Sequence, residues 1–274
     1  MTGAAADTDL DPPTIPAPVH PPSPVLGIGV ETDEPSDLLR RITDFARSGG
    51  KRRVMYVNAH VLNRSTENSA LRHALEGADL VYCDGYGVRL AARVLGLRVP
   101  IRMTGADWVW GLAPLCEQKE LSLYLLGSEP GTAEHAADAL RRWYPRLKIV
   151  GHHHGYFEPG SQHNERVLED IARRSPDILL LGMGTPKQEV WAADELERID
   201  ARVIWGVGSL FDYVSQEIPR APHWLADNGL EWIFRLGLEP RRMWRRYLIG
   251  NPRFIGRIAR EASAGRAREP RPGR

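Results

Sequence analysis

The sequence predicts an α/β fold: a parallel sheet sandwiched by helices in a Rossmann-like arrangement, with a basic helical appendage at its C-terminal end. Three observations carry this. Short continuous apolar runs alternate with segments of helical spacing, as expected of strands covered on both faces. Each run ends in Gly, Asp or Asn, and right-handed crossovers gather such ends along one rim, where parallel sheets bind ligands. The charge is also divided: from Arg235 onward, 12 Arg face 3 acidic residues, a net of +9, so with a whole-chain charge of +1 the rest carries −8.

The 274 residues are 42% hydrophobic and 26% charged, an ordinary globular balance with enough chain to bury a sizeable core. No apolar run reaches the roughly 18 residues of a membrane span. No Lys or Arg precedes Arg40 and no apolar core follows the start, so a signal peptide is not expected. Two cysteines, Cys83 and Cys116, make neither a disulfide framework nor a zinc site. They read as reduced thiols.

Residues 1–24 hold seven prolines and no periodic apolar pattern, which predicts a disordered leader. Residues 25–218 read as the α/β domain. Val25 to Val30 is a first strand and Asp33 to Ala46 a helix, with Leu38, Leu39, Ile42 and Phe45 on one face. Arg53 to Val57 is a strand, and Val61 to Leu75 a helix. Asp79 to Tyr82 is a strand that stops at Asp84, followed by helices over Val88 to Leu95 and Trp108 to Cys116. Strands are then expected at Leu121 to Leu126, Leu147 to Val150, Ile178 to Leu181 and Val203 to Val207. Helices are expected at Thr132 to Trp143, Asn164 to Arg173 and Gln188 to Ile199. Residues 219–262 form the amphipathic basic appendage, where apolar positions from Trp224 to Ile258 are interleaved with arginines. Residues 263–274 read as a disordered basic tail.

Four loop clusters carry chemistry. Asn58-Ala59-His60 follows the second strand. Asp84-Gly85-Tyr86-Gly87 sets a carboxylate at a strand end, which suits either a working acid–base group or a helix cap. Arg102-Met103-Thr104-Gly105-Ala106-Asp107 combines a cation with polar groups. Gly182-Met183-Gly184-Thr185-Pro186-Lys187-Gln188-Glu189 opens a helix through a glycine turn, the arrangement that brings backbone amides to an anion. It matches neither a full G-x-G-x-x-G nor a P-loop. His152 to His154 looks like a metal tract, but no carboxylate or Cys stands at ligand spacing, so no metal site is expected.

Taken together, these stretches resemble the bacterial WecG/TagA/CpsF glycosyltransferases, which make surface polysaccharides and wall teichoic acid. The resemblance runs from about Val25 to Ile258. It rests on Asn58-Ala59, Cys83-Asp84-Gly85-Tyr86-Gly87-Val88, Arg102 to Asp107, Leu126-Gly127, Gly155-Tyr156-Phe157 and Gly182 to Glu189. It continues through Gly206-Val207-Gly208, Phe211-Asp212, Arg220-Ala221-Pro222, Gly229 to Trp232 and Glu239-Pro240-Arg241-Arg242. The chain departs from the family pattern at Gln216, where glycine is usual, and at Tyr56, where some members carry Thr.

The resemblance implies a metal-independent, inverting transferase without a cofactor. It would move a sugar (N-acetylmannosamine, its uronic acid or glucose) from a UDP-sugar donor to a polyprenyl-diphosphate-linked saccharide acceptor. Asp84 then matches the proposed general base. Asn58, Arg102 and Gln188 match pocket residues, within clusters that add Thr104, Asp107, Gly182, Gly184 and Glu189. Arg235, Arg242 and Arg245 match appendage arginines expected to meet the acceptor's diphosphate. A cytoplasmic protein attached peripherally to the inner membrane surface is expected, since a basic segment bearing tryptophan suits an anionic lipid face. No nucleic acid partner is expected, and a homo-oligomer is compatible with the pattern. Two other readings are weighed: a nucleotide-binding oxidoreductase using Gly27-Ile28-Gly29, and a nucleic-acid-binding protein using the basic tail.

Overall fold

The computed structural model describes residues 17–216, 218–219, 221–222, 224–225 and 229–268. Most of the expected leader (1–16), Arg220 of the proline turn and residues 269–274 lie outside the described residues.

The chain opens with a small antiparallel hairpin, β1 (Ser23–Val25) and β2 (Ile28–Val30). The expected single strand from Val25 to Val30 is therefore folded back on itself. Leu26 (φ 50°) and Gly27 (φ 80°) both take left-handed backbone, the combination that closes a two-residue hairpin. Gly27-Ile28-Gly29 consequently lies in a hairpin rather than at a strand-to-helix turn, and the dinucleotide reading loses its fingerprint.

The α/β succession follows: α1 (Pro35–Phe45), β3 (Arg52–Val57), α2 (Ala59–Ser65), α3 (Ser69–Glu76), β4 (Leu80–Cys83), α4 (Tyr86–Val94) and α5 (Gly105–Lys119). Next come β5 (Ser122–Gly127), α6 (Thr132–Trp143), β6 (Lys148–His153), α7 (Gln162–Arg174), β7 (Ile178–Gly182), α8 (Lys187–Asp194), β8 (Val203–Gly206) and α9 (Leu210–Val214). The helix expected from Val61 to Leu75 is two helices. Asn68 breaks it by accepting the Leu71 amide at 2.9 Å, the local competition that makes Asn a cap. The appendage consists of α10 (Glu231–Leu238), α11 (Pro240–Trp244), a π-helical turn (Arg245–Ile249) and α12 (Gly250–Arg268). Helix α12 thus runs past residue 262, where the sequence pattern predicts structure to end. Ala and Arg, both good helix formers, make up four of the six residues from 263 to 268.

The main sheet has six strands in the order β4-β3-β8-β7-β5-β6, all parallel. Successive strand residues alternate between two cores. Val54, Leu80, Tyr82, Leu123, Leu125 and Trp205 pack under α1, α5, α6 and α9. Met55, Val57, Val81, Cys83, Leu126 and Ile204 pack under the opposite helices and the hairpin. The appendage joins the second core through Phe254 and Ile258, each 4% exposed, roughly 1.5–3 kcal/mol of burial apiece. Asn63 of α2 fastens it by donating to Gly250 O at 2.7 Å and accepting from Arg257 Nη1 at 2.6 Å. The appendage is therefore docked on the body at the rim where β3 and β4 end.

Candidate active site

Asp84 follows the last residue of β4, and its amide donates to Val57 O at 2.8 Å, so the β3–β4 ladder fixes its backbone. Gly85, next in line, sits at φ 133°, a conformation open to glycine and strained for any other residue. Gly87 lets α4 approach α2 and α12, since a Cβ there would lie 3.2 Å from Ala59 Cβ and 3.8 Å from the Phe254 ring. Asn58 caps α2, accepting from the amides of His60 (3.0 Å) and Val61 (3.1 Å). This leaves its Nδ2 to reach Asp84 Oδ2 at a long 3.5 Å.

Asp84 is half-buried, but its carboxyl sits low in the cleft. Burial is the largest influence on it, followed by the nearby Glu231 carboxylate. Together they outweigh Asn58, Arg246 and Arg235 and push its pKa up to about 6. A base near neutrality is the useful kind, charged at working pH yet strong enough to accept a proton. His60, two residues after Asn58, is driven down to about 4 by burial and by the charges of Arg246 and Arg64, and stays neutral. Tyr56, raised by burial and by Glu189 and Asp84, stays a phenol. Cys83 is buried with its thiol pushed up to about 12, by burial and then by Asp84, so it is not a nucleophile.

The appendage supplies the second wall. Arg102 Nη1 donates to Glu231 Oε2 at 3.0 Å, while its Nη2 lies 3.8 Å from Asp107 Oδ2. Thr104 Oγ1 donates to Asp107 Oδ2. Arg102, Thr104, Ala106, Asp107, Tyr213 and Glu231 line one narrow pocket. Arg235 donates to Ser209 Oγ at 3.2 Å and lies 5.4 Å from the Tyr213 ring centre. Among the described residues, neither its buried Nε nor that of Arg246 has a hydrogen-bond partner. Both guanidinium charges act on Asp84.

The expected site residues separate into three sets. Asp84, Asn58, Arg102, Thr104, Asp107 and Arg235 gather at one end of the rim. Gln188 and Glu189 are 0% exposed and lie beneath it. Gln188 Oε1 accepts the Gly208 amide at 3.2 Å, and its Nε2 donates to Glu189 Oε1 at 2.9 Å. These two shape the floor and do not face open space. Gly182 is likewise a packing position: its Cβ would lie 2.9 Å from Gly208 O and from the Phe211 ring, whereas Gly184 (φ 76°) faces open space. Arg242 and Arg245 stand outside this cluster. Arg242 pairs with Glu239 at 2.9 Å, and exposed Arg245 lies over the Trp244 ring at 5.2 Å.

Arg246 and Glu231 are the members that sequence reasoning missed. Arg246 belongs to the π-helical turn, where one extra residue per turn re-aims side chains. A basic run reads alike at every position, so only that turn distinguishes Arg246 from Arg245. Glu231 stands within a matching stretch, but nothing in the sequence couples it to Arg102.

A family model described as Glycosyl transferase WecG/TagA/CpsF family matches residues 23–268. The N-acetylglucosaminyldiphosphoundecaprenol N-acetyl-beta-D-mannosaminyltransferase of Bacillus subtilis (strain 168) is 27% identical over 216 residues, covering 79% of this chain and 82% of its own. The protein of the same name from Staphylococcus aureus (strain MRSA252) is 26% identical over 238 residues, covering 86% and 91%. With most of its length matched by that model, and with the rim residues of the motifs in place, the chain belongs to the WecG/TagA/CpsF family of glycosyltransferases.

Proposed function

We propose that this glycosyltransferase moves a sugar from a UDP-sugar to a hydroxyl of a polyprenyl-diphosphate-linked saccharide, by a single displacement with inversion. Asp84 takes the proton of the acceptor hydroxyl, whose oxygen attacks the anomeric carbon. The bond from that carbon to the diphosphate oxygen breaks, and its electron pair leaves with UDP. The observation that carries this reading is a carboxyl near pKa 6 at a strand end, flanked by the arginines of a separate appendage. The relatives are named for N-acetylmannosamine transfer to an N-acetylglucosaminyl-diphospho-undecaprenol. That donor and that acceptor are therefore the first to test here, ahead of the uronic acid or glucose.

Arg102, Arg235, Arg246 and the amides around Gly184 are assigned the leaving diphosphate's charge. Within the α/β segment, Asp177, Asp194 and Asp200 are not spaced as an Asp-x-Asp motif, and the reading gives a divalent cation no part in transfer. Glu231 holds Arg102 through Nη1, and the reading has the donor's diphosphate compete with it for that guanidinium.

The acceptor's lipid requires a membrane surface, and no helix among the described residues is long and apolar enough to cross one. On α4, Tyr86, Leu90 and Val94 form an exposed stripe. On the appendage, Trp244, Leu248, Ile249 and Ile255 are exposed, and Ile255 is 60% accessible. Arg89, Arg93, Arg241, Arg245, Arg253 and Arg260 lie among them. An apolar face set with arginines is suited to an anionic bilayer, and Asp84 sits just before α4.

The test is calorimetric titration with a panel of UDP-sugars, then transfer to a polyprenyl-diphosphate-N-acetylglucosamine acceptor, with Asp84→Asn alongside. Binding of one UDP-sugar, inverted product, and loss of turnover in the variant are expected. Absence of binding to every UDP-sugar, or near-normal turnover in Asp84→Asn, overturns the reading.

A further inference from the structure

The sheet edge opposite Asp84 carries three histidines that the transfer chemistry does not use. His153 ends β6, His154 follows it, and His163 lies in the first turn of α7. His163 is absent from the sequence tract that first suggests metal, because nine residues separate it from His153. The fold brings the three together. One nitrogen from each lies within 4.8 Å of the others, and all three side chains are half-buried.

The pair geometry is specific. His153 Nε2 and His163 Nε2 are 3.2 Å apart, with ring planes at 80°. Two imidazole nitrogens bound tetrahedrally at about 2.0–2.1 Å from one ion stand roughly 3.3 Å apart. His153 Nδ1 lies 2.8 Å from His154 O. Donating there fixes the tautomer and leaves a lone pair on Nε2, the usual outer support of a metal-bound histidine. His154 Nδ1 also carries a lone pair, accepting the Tyr156 amide at a long 3.2 Å.

We propose that His153, His154 and His163 bind a borderline transition-metal ion, zinc being the natural occupant, through three imidazole nitrogens with a water in the fourth place. His163 moves its proton from Nε2 to Nδ1 on binding, and His154 gives up its weak bond to the Tyr156 amide. No oxidant or reductant is involved. The ion would clamp the end of β6 to the start of α7 across the loop 154–161. That loop's Gly155 and Phe157 carbonyls receive Lys187 Nζ at the mouth of the glycine turn. The Lys187 charge faces His154 and opposes the cation, which makes this a site of moderate affinity. It stands apart from the transfer reading and holds whether or not Asp84 is the base.

The experiment uses full-length protein without a histidine tag, cleared of metal by chelator, and titrated with Co²⁺. Intense visible absorption of a tetrahedral ion, saturating near one equivalent, is expected. Affinity should fall about tenfold or more in His153→Gln and in His163→Gln and stay unchanged in His152→Gln. Zn²⁺ should raise the melting temperature of the wild type and of His152→Gln but not of the other two. Circular dichroism of the metal-free variants establishes that they fold. No tetrahedral band, or equal affinity in all four proteins, overturns the proposal.

Discussion

Arg102 donates to Glu231 at 3.0 Å, and this ion pair joins the loop before α5 to the first residue of α10 beside Asp84. The same glutamate raises Asp84, so one carboxylate both holds the guanidinium and tunes the carboxyl proposed as the base. Replacing Glu231 with Gln removes a like charge from Asp84 and frees Arg102. The acid limb of the pH–rate profile should move to lower pH. Steady-state kinetics across pH 4–8 measure this, and an unmoved limb would show that Glu231 does not act on the base.

In the wild type, the same limb should lie near the Asp84 value of about 6. Below it, kcat/KM should fall by about tenfold per pH unit as the base is protonated. Turnover in Asp84→Asn should drop by roughly 10²–10⁴-fold, with UDP-sugar affinity retained by calorimetry.

Stability should respond in the opposite sense. A carboxyl whose folded value is raised above its unfolded one contributes stability that is present below the unfolded value and lost as pH rises through about 6. Asp84→Asn removes that loss. The variant should melt a few degrees higher than the wild type at pH 7.5 and alike near pH 4, as differential scanning calorimetry would register.

The two neighbouring arginines of the π-helical turn should behave differently. Arg246→Ala should lower kcat by on the order of 10²-fold if it meets developing diphosphate charge. Arg245→Ala, exposed over Trp244, should leave detergent-phase turnover near normal and weaken only liposome binding. Equal kinetic effects would mean that the turn does not select between them.

Leu90→Asp and Ile255→Asp change exposed positions and should leave the fold and donor binding intact. Both should reduce co-sedimentation with anionic liposomes, and added salt should reduce it further. Unchanged sedimentation at low salt would remove this face from membrane docking.

Much of this protein was written locally. Apolar runs of strand length, helical spacing and polar strand ends determined an α/β sheet with its working rim, because a strand buried on both faces needs a continuous apolar run and its end must carry the turn. Asp84, Asn58 and Arg102 were legible for the same reason, standing at strand ends or in the loops just beyond. Tertiary structure decided the rest. Left-handed Leu26 and Gly27 folded the first strand out of the sheet, Gln188 went beneath the rim, and Arg246 rather than Arg245 was turned toward Asp84. It also set Glu231 against Arg102, and His163 against His153. None of these has a local signature, since each depends on where distant segments meet: long-range packing and desolvation set them, and a sequence pattern records only the neighbours along the chain.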